Sequence, residues 1–203
     1  MTTHDYSHPV NTTPPKVCAV VVHHRTLDHQ YTVACLDSLK AQSYANLECI
    51  TIDNLNGQLT IAEARNQAVA HTDAELVLFV AEEDMLTLDT VQAMVDLYLA
   101  TKAKEATSLV HITTPCTVLL PNGTTAIMPH MTAPGMYERA YLVAHPFDAS
   151  LDYHVDAAQQ RAMCDRAKRE GKDFTISTTH HYGYVHRAHP FRRDGITVNQ
   201  GRA

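Results

Sequence analysis

Glu82, Glu83 and Asp84 stand side by side one residue beyond Glu75 to Val80, an apolar run of strand length. In an open α/β sheet, ligands bind beyond the C-terminal ends of the strands. Three adjacent carboxylates repel one another unless a cation compensates them, so a divalent metal is their natural partner. The competing expectation is a helix N-terminus, because acids ahead of Met85-Leu86 also suit a helix dipole. Three further charged residues have ordinary uses where they stand. Asp53 closes a short apolar run and can set a turn with Asn54, Asn56 and Gly57. Arg65 can pair with Glu63 or Asp73. Asp156 can be a helix N-cap. His180, His181, His186 and His189 make a His-rich segment, but no Cys or carboxylate is spaced with them as a zinc site.

The elements that must carry these residues follow from hydrophobic periodicity. Val17 to Val22 reads as a fully buried first strand ending in His23-His24-Arg25. Leu27 to Gln42 has helical spacing, with Asp28 as a candidate cap. Leu47 to Ile52 is a second strand, a helix begins at or near Thr60 and runs through Ala70, Glu75 to Val80 is the third strand, and Leu86 to Ala100 a third helix. This alternation predicts right-handed βαβ units in a mostly parallel sheet flanked by helices. Beyond it, Thr107 to Thr113 is a strand, and Thr117 to Leu120 with Thr124 to Met128 forms a hairpin about Asn122-Gly123. Tyr137 to Val143 is a strand or a short helix. Asp156 to Glu170 is a helix closed by Gly171, and Phe174 to Thr178 and Tyr182 to His186 are late strands.

The bulk properties narrow the class. The chain has 203 residues, 45% hydrophobic and 19% charged, ordinary for a water-soluble globular fold of one domain. No apolar run approaches the ~20 residues needed to span a bilayer, and the polar, proline-containing start is no signal peptide. Five scattered cysteines without a close pair fit a reducing, cytoplasmic setting. The net charge of −6 conceals a division. Residues 1–157 hold 7 Lys/Arg against 18 Asp/Glu, whereas 158–203 hold 9 against 4, so the C-terminal end is suited to a phosphate group or a polyanion.

Several motifs, in order, resemble those of the family 2 inverting glycosyltransferases. They are the opening strand and polar turn Val17–Arg25, Ser38-Leu39-Lys40-Ala41-Gln42 followed by Tyr44-Ala45-Asn46-Leu47-Glu48, the strand-ending Asp53, Ala64-Arg65-Asn66, and Ala81-Glu82-Glu83-Asp84. The resemblance covers about 70 residues. It implies an α/β GT-A fold, nucleotide-sugar-binding and Rossmann-like, over 16–191, with a nucleotide-sugar half (16–101) and an acceptor half (102–191). A disordered lead-in (1–15) and a tail (192–203) would flank it. Ala81 departs from the family by replacing the first Asp of its metal motif, and Glu83 replaces the second. In the second half, Phe147-Asp148-Ala149-Ser150-Leu151 then Val155-Asp156 looks like the segment that carries the family's catalytic base. His186-Arg187-Ala188-His189-Pro190 looks like its late His-containing motif.

By resemblance, Val22, His23, His24, Asp53, Arg65 and Glu82 would bind the nucleotide sugar. Glu83, Asp84 and His189 would hold Mn²⁺ or Mg²⁺, with His186 a second candidate. Asp156 would be the base, with Asp152 its competitor. The expected donor is a UDP-sugar. The acceptor is a polysaccharide, a protein or, through Lys172, Arg187, Arg192 and Arg193, a hydroxymethylated base in DNA. A catalytically silent nucleotide- or partner-binding module is the alternative that Ala81 motivates. A nucleotidyltransferase is disfavoured because residues 22–30 contain no glycine.

Overall fold

A computed structural model describes residues 13–24, 29–104, 109–120, 122–128, 134–151, 155–171, 173–180 and 183–187. In chain order the elements are β1 (Val17–His24), α1 (His29–Lys40), β2 (Leu47–Asn54), α2 (Ile61–His71), β3 (Leu76–Ala81), β4 (Met85–Leu86) and α3 (Thr90–Lys104). There follow β5 (Leu109–Thr113), β6 (Cys116–Leu119), β7 (Thr125–Met128), β8 (Gly135–Glu138), α4 (Arg139–Ala144), α5 (Val155–Glu170), β9 (Phe174–Thr178) and β10 (Tyr184–Arg187).

The main sheet has the order β2-β1-β3-β8-β5-β9. All its pairs are parallel except those made by β8, which runs antiparallel to both neighbours. Strands β1, β2, β3, β5 and β9 therefore point the same way, and their C-terminal ends share one edge. β3, and β1 as far as Val22, are unbroken apolar runs because helices cover both sheet faces. One core packs Val17, Ala19, Val21, Leu78, Val80 and Ile112 with Leu39 of α1 and Met94 of α3. The other packs Cys18, Val20, Val77, Phe79 and Tyr137 with Val69 of α2, Leu142 of α4 and Met163 of α5. Each large side chain buried there contributes roughly 1.5–3 kcal/mol. Edge strand β2 alternates in burial instead. The predicted α/β class, with its mostly parallel sheet and flanking helices, is the architecture observed.

A second sheet, β4-β10-β6-β7, stands beyond that edge. Its β6–β7 hairpin turns at Asn122-Gly123 as predicted, with Gly123 at φ +80°. Gly171 closes α5 at φ +62°. Thr60 caps α2 in a full capping box with Glu63.

Two expectations change. Met85–Leu86 does not begin a helix. It pairs antiparallel with β10, and α3 starts only at Thr90, whose hydroxyl donates to the carbonyls of Thr87 and Gly183. The acidic triplet therefore lies outside any helix N-terminus, and the dipole alternative falls. Tyr137 to Val143 is neither strand nor helix alone. The strand β8 runs directly into α4 at Arg139, whose amide bonds the Glu75 carbonyl. The proposed cap Asp28 lies outside the described residues, as does most of the lead-in. No described helix is long and apolar enough to cross a membrane. The five cysteines are free thiols.

Candidate active site

The shared C-terminal edge gathers the first half of the site. Parallel register sets His23 of β1 beside Asp53 of β2, and Val22 beside Ala81 of β3. His24 ends β1. The Asp53 Oδ1 accepts from the Leu55 amide at 3.0 Å, and Asn54 bonds Leu59 through both side-chain ends. Asp53 thus sets the turn, as its ordinary use requires, while its side chain stays exposed at the edge.

Glu82, Glu83 and Asp84 are 3%, 2% and 1% exposed, so each carboxylate needs polar company. Glu82 Oε2 accepts from the Thr32 hydroxyl at 3.1 Å and lies 3.8 Å from His23 Nε2. Asp84 receives the Tyr184 hydroxyl on Oδ2 and lies 3.0 and 3.1 Å, through Oδ1 and Oδ2, from His186 Nδ1. Tyr184 and His186 are two apart on β10, so they share one face. The β4–β10 pairing delivers both to Asp84. Burial first, then the charge of Asp84, pushes the Tyr184 phenol well above its ordinary value, so it stays a neutral donor. Asp84 is thereby the clasp between the two sheets.

Ser38 of α1 and Gln42, two residues past its end, hold the loop after the acids. Ser38 Oγ accepts from the Leu86 amide at 3.1 Å. Gln42 donates to the carbonyls of Ser38 and Thr87 and accepts from the Val91 amide.

The second half of the site is built from α2. Asn66 and the backbone of Phe147 exchange two hydrogen bonds, each 2.9 Å. Arg65 Nη1 reaches Asp156 Oδ1 at 2.8 Å. Its guanidinium lies 4.8 Å from the ring centre of Phe79 and 5.5 Å from that of Phe147, and those two rings meet edge to face. Neither partner considered for Arg65 in the sequence is used: Glu63 completes the cap of α2 and Asp73 pairs with Lys16. Asp156 is the second residue of α5, and its side chain turns to Arg65.

Among the described residues, no group of three or more His, Cys, Asp or Glu side chains is placed to hold a metal ion. Glu83 is buried in the turn between β3 and β4, Asp84 bonds Tyr184 and His186, and His189 lies outside the described residues. The described donors by themselves do not make a metal centre. Asp152, Lys172, Arg192 and Arg193 also lie outside the described residues, and for Arg187 the backbone alone is described, paired to Leu119.

Sequence reasoning passed over Tyr184, Thr32, His111 and Tyr137. Tyr184 was legible as the same-face neighbour of His186. His111 was legible as a lone polar residue inside an apolar run. Thr32 had no local signal.

No protein-family model matches the chain, and a search of curated proteins finds no significant relative. Solved structures do match. The S. aureus TarS structure aligns at TM-score 0.57 and 15% identity over 86% of this chain and 37% of that one. A structure of TarS 1-349 with UDP-GlcNAc aligns at TM-score 0.59 and 14% identity over 87% and 60%. One with UDP aligns at 0.56 and 15% over 86% and 61%. The chain thus spans between about a third and three-fifths of those proteins' length. At such identity the likeness is one of fold alone, the α/β architecture that those TarS structures share with this chain.

Proposed function

We propose that this chain is a glycosyltransferase that moves a sugar from a nucleotide-diphosphate sugar, a UDP-sugar in the first instance, to a hydroxyl acceptor with inversion. Two observations support the reading together. The fold is that of TarS, a glycosyltransferase solved with UDP and UDP-GlcNAc. The observation that carries the chemistry is Arg65–Asp156, a carboxylate gripped through one oxygen at the head of α5.

In the proposed reaction the acceptor oxygen attacks the anomeric carbon from the face opposite the diphosphate. Its proton passes to Asp156, whose Oδ1 is held by Arg65, leaving Oδ2 to receive it. The new C–O bond forms as the bond to the diphosphate breaks, and that electron pair leaves with the nucleotide. Asp53, His23 and the backbone at Val22–His24 face the nucleotide, with Glu82 behind them. Arg65 serves as the positioning cation of the base rather than as a phosphate ligand. The phosphates are left to the basic C-terminal end, Arg187 and Arg192 foremost. A divalent ion, Mn²⁺ or Mg²⁺, would stabilise the leaving diphosphate. Glu83 would be its first candidate ligand.

Ala81 favours a second reading, a nucleotide-binding module without turnover. Hydrolysis of UDP-GlcNAc, with and without Mn²⁺, separates the two. Turnover that falls about 10²–10⁴-fold in Asp156→Asn supports the transferase. Nucleotide binding with no turnover in the wild type supports the module.

A further inference from the structure

His111 and Tyr137 form a buried polar pair that the reaction above does not use. They are direct cross-strand partners on β5 and β8, both 0% exposed, with rings stacked 4.3 Å apart at 15°. Among the described residues, neither His111 nitrogen nor the Tyr137 hydroxyl has a hydrogen-bond partner. A buried polar atom left so is costly, and three of them converge here. Burial holds the His111 imidazole down to about 4, against the raising effect of Asp156, so the ring is neutral at neutral pH. Burial likewise keeps the Tyr137 phenol protonated.

The pair is aimed. An ideal Cβ at Gly135 would lie 2.5 Å from His111 Nε2 and 3.0 Å from Tyr137 Oη. Gly135 is paired with Phe79, two residues before Ala81, and with Thr113, the last residue of β5. Both rings therefore lean along the sheet toward the edge that carries Glu82–Asp84, and a glycine is what leaves them room. Phe79 and Phe147, the rings that hold Arg65, flank Tyr137 at 5.9 and 6.3 Å.

We propose that His111 and Tyr137 form a subsite for a neutral sugar hydroxyl beside the Arg65–Asp156 pair. This rests on the nucleotide-sugar reading. A neutral imidazole and a phenol offer donors and acceptors but no charge, which suits a hydroxyl and not a phosphate or carboxylate. The surrounding rings suit the C–H face of a sugar. Both residues are 0% exposed, so binding of a hydroxyl and a local rearrangement around the pair go together. The hydroxyl belongs either to the transferred sugar or to the acceptor.

Tyr137→Phe removes one oxygen and tests this. Calorimetric titration with UDP and with UDP-GlcNAc, and the rate of UDP release with methyl β-glucoside as a neutral acceptor probe, read the two sources. The expected melting temperature equals or exceeds that of the wild type. For a donor hydroxyl, UDP-GlcNAc affinity falls about tenfold while UDP affinity holds. For an acceptor hydroxyl, both affinities hold and KM for the glucoside rises about tenfold. His111→Leu should act in the same direction. Wild-type behaviour of both variants in every arm overturns the subsite, as does an equal loss of UDP binding and melting temperature, which marks a structural role. A wild type that binds neither UDP nor UDP-GlcNAc removes the nucleotide-sugar reading instead, and the subsite with it.

Discussion

Arg65 and Asp156 lie 91 residues apart in sequence and 2.8 Å apart in space, the guanidinium of one packed against Phe79 and Phe147 while it holds the carboxylate of the other. The contact ties α2 to the first turn of α5. Breaking it leaves a partly buried charge alone, which costs more than the intact pair contributes. Arg65→Ala is expected to lower stability by about 2–4 kcal/mol in urea unfolding. Arg65→Lys keeps the charge but loses the flat fork, and should fall between. If Arg65→Ala unfolds at wild-type urea while UDP affinity collapses, Arg65 serves the nucleotide and not Asp156.

His111 makes stability depend on pH. Its folded value, about 4, lies below the ordinary 6.5, so between them the unfolded chain binds the extra proton. Its contribution is fully present above about 6.5 and is lost as pH falls through about 4, up to roughly 3 kcal/mol. Urea unfolding at pH 7 and pH 4 should differ by less in His111→Leu than in the wild type. An equal difference would place the acid sensitivity in the carboxylates alone.

The Asp84 clasp and a metal role predict different responses. As the strut between the two sheets, Asp84→Asn and Tyr184→Phe should each cost about 1–3 kcal/mol with or without Mn²⁺. Glu83→Gln should instead reduce a Mn²⁺-dependent thermal shift with UDP. Asp84→Asn that melts like the wild type without metal, yet loses a Mn²⁺ shift, would make Asp84 a ligand.

The basic end sets a salt dependence. On α5, Arg161, Lys168 and Arg169 are exposed, and Arg166 lies 3.7 Å from Glu170. If the acceptor is a polyanion such as DNA, affinity in a gel-shift series should fall steeply between about 50 and 200 mM salt. Charge reversal at Lys168 and Arg169 should weaken it at every sequence alike. No shift at the lowest salt removes the polyanion acceptor and favours a neutral glycan.

Much of this molecule was legible in one dimension. The Val17–Val22 and Glu75–Val80 runs announced their strands because a strand covered on both faces must be apolar throughout. The Thr60–Glu63 cap and the Asn122-Gly123 turn are local chemistry with local residues. Their sequence also placed the acids of 82–84 at a strand's end. What tertiary structure decided was who meets whom. Nothing near Arg65 pointed to Asp156, since the contact exists only because α2 and α5 cover the same face of one sheet. Nothing near Asp84 pointed to Tyr184, which arrives because β10 pairs with β4. The antiparallel insertion of β8, and with it the meeting of His111 and Tyr137 above Gly135, depended on strand order, which periodicity does not encode. Local residue types determined the elements and the roster of chemical groups. Long-range strand pairing determined which groups became neighbours, because the free energy of those contacts is realised only after the chain has closed its sheet.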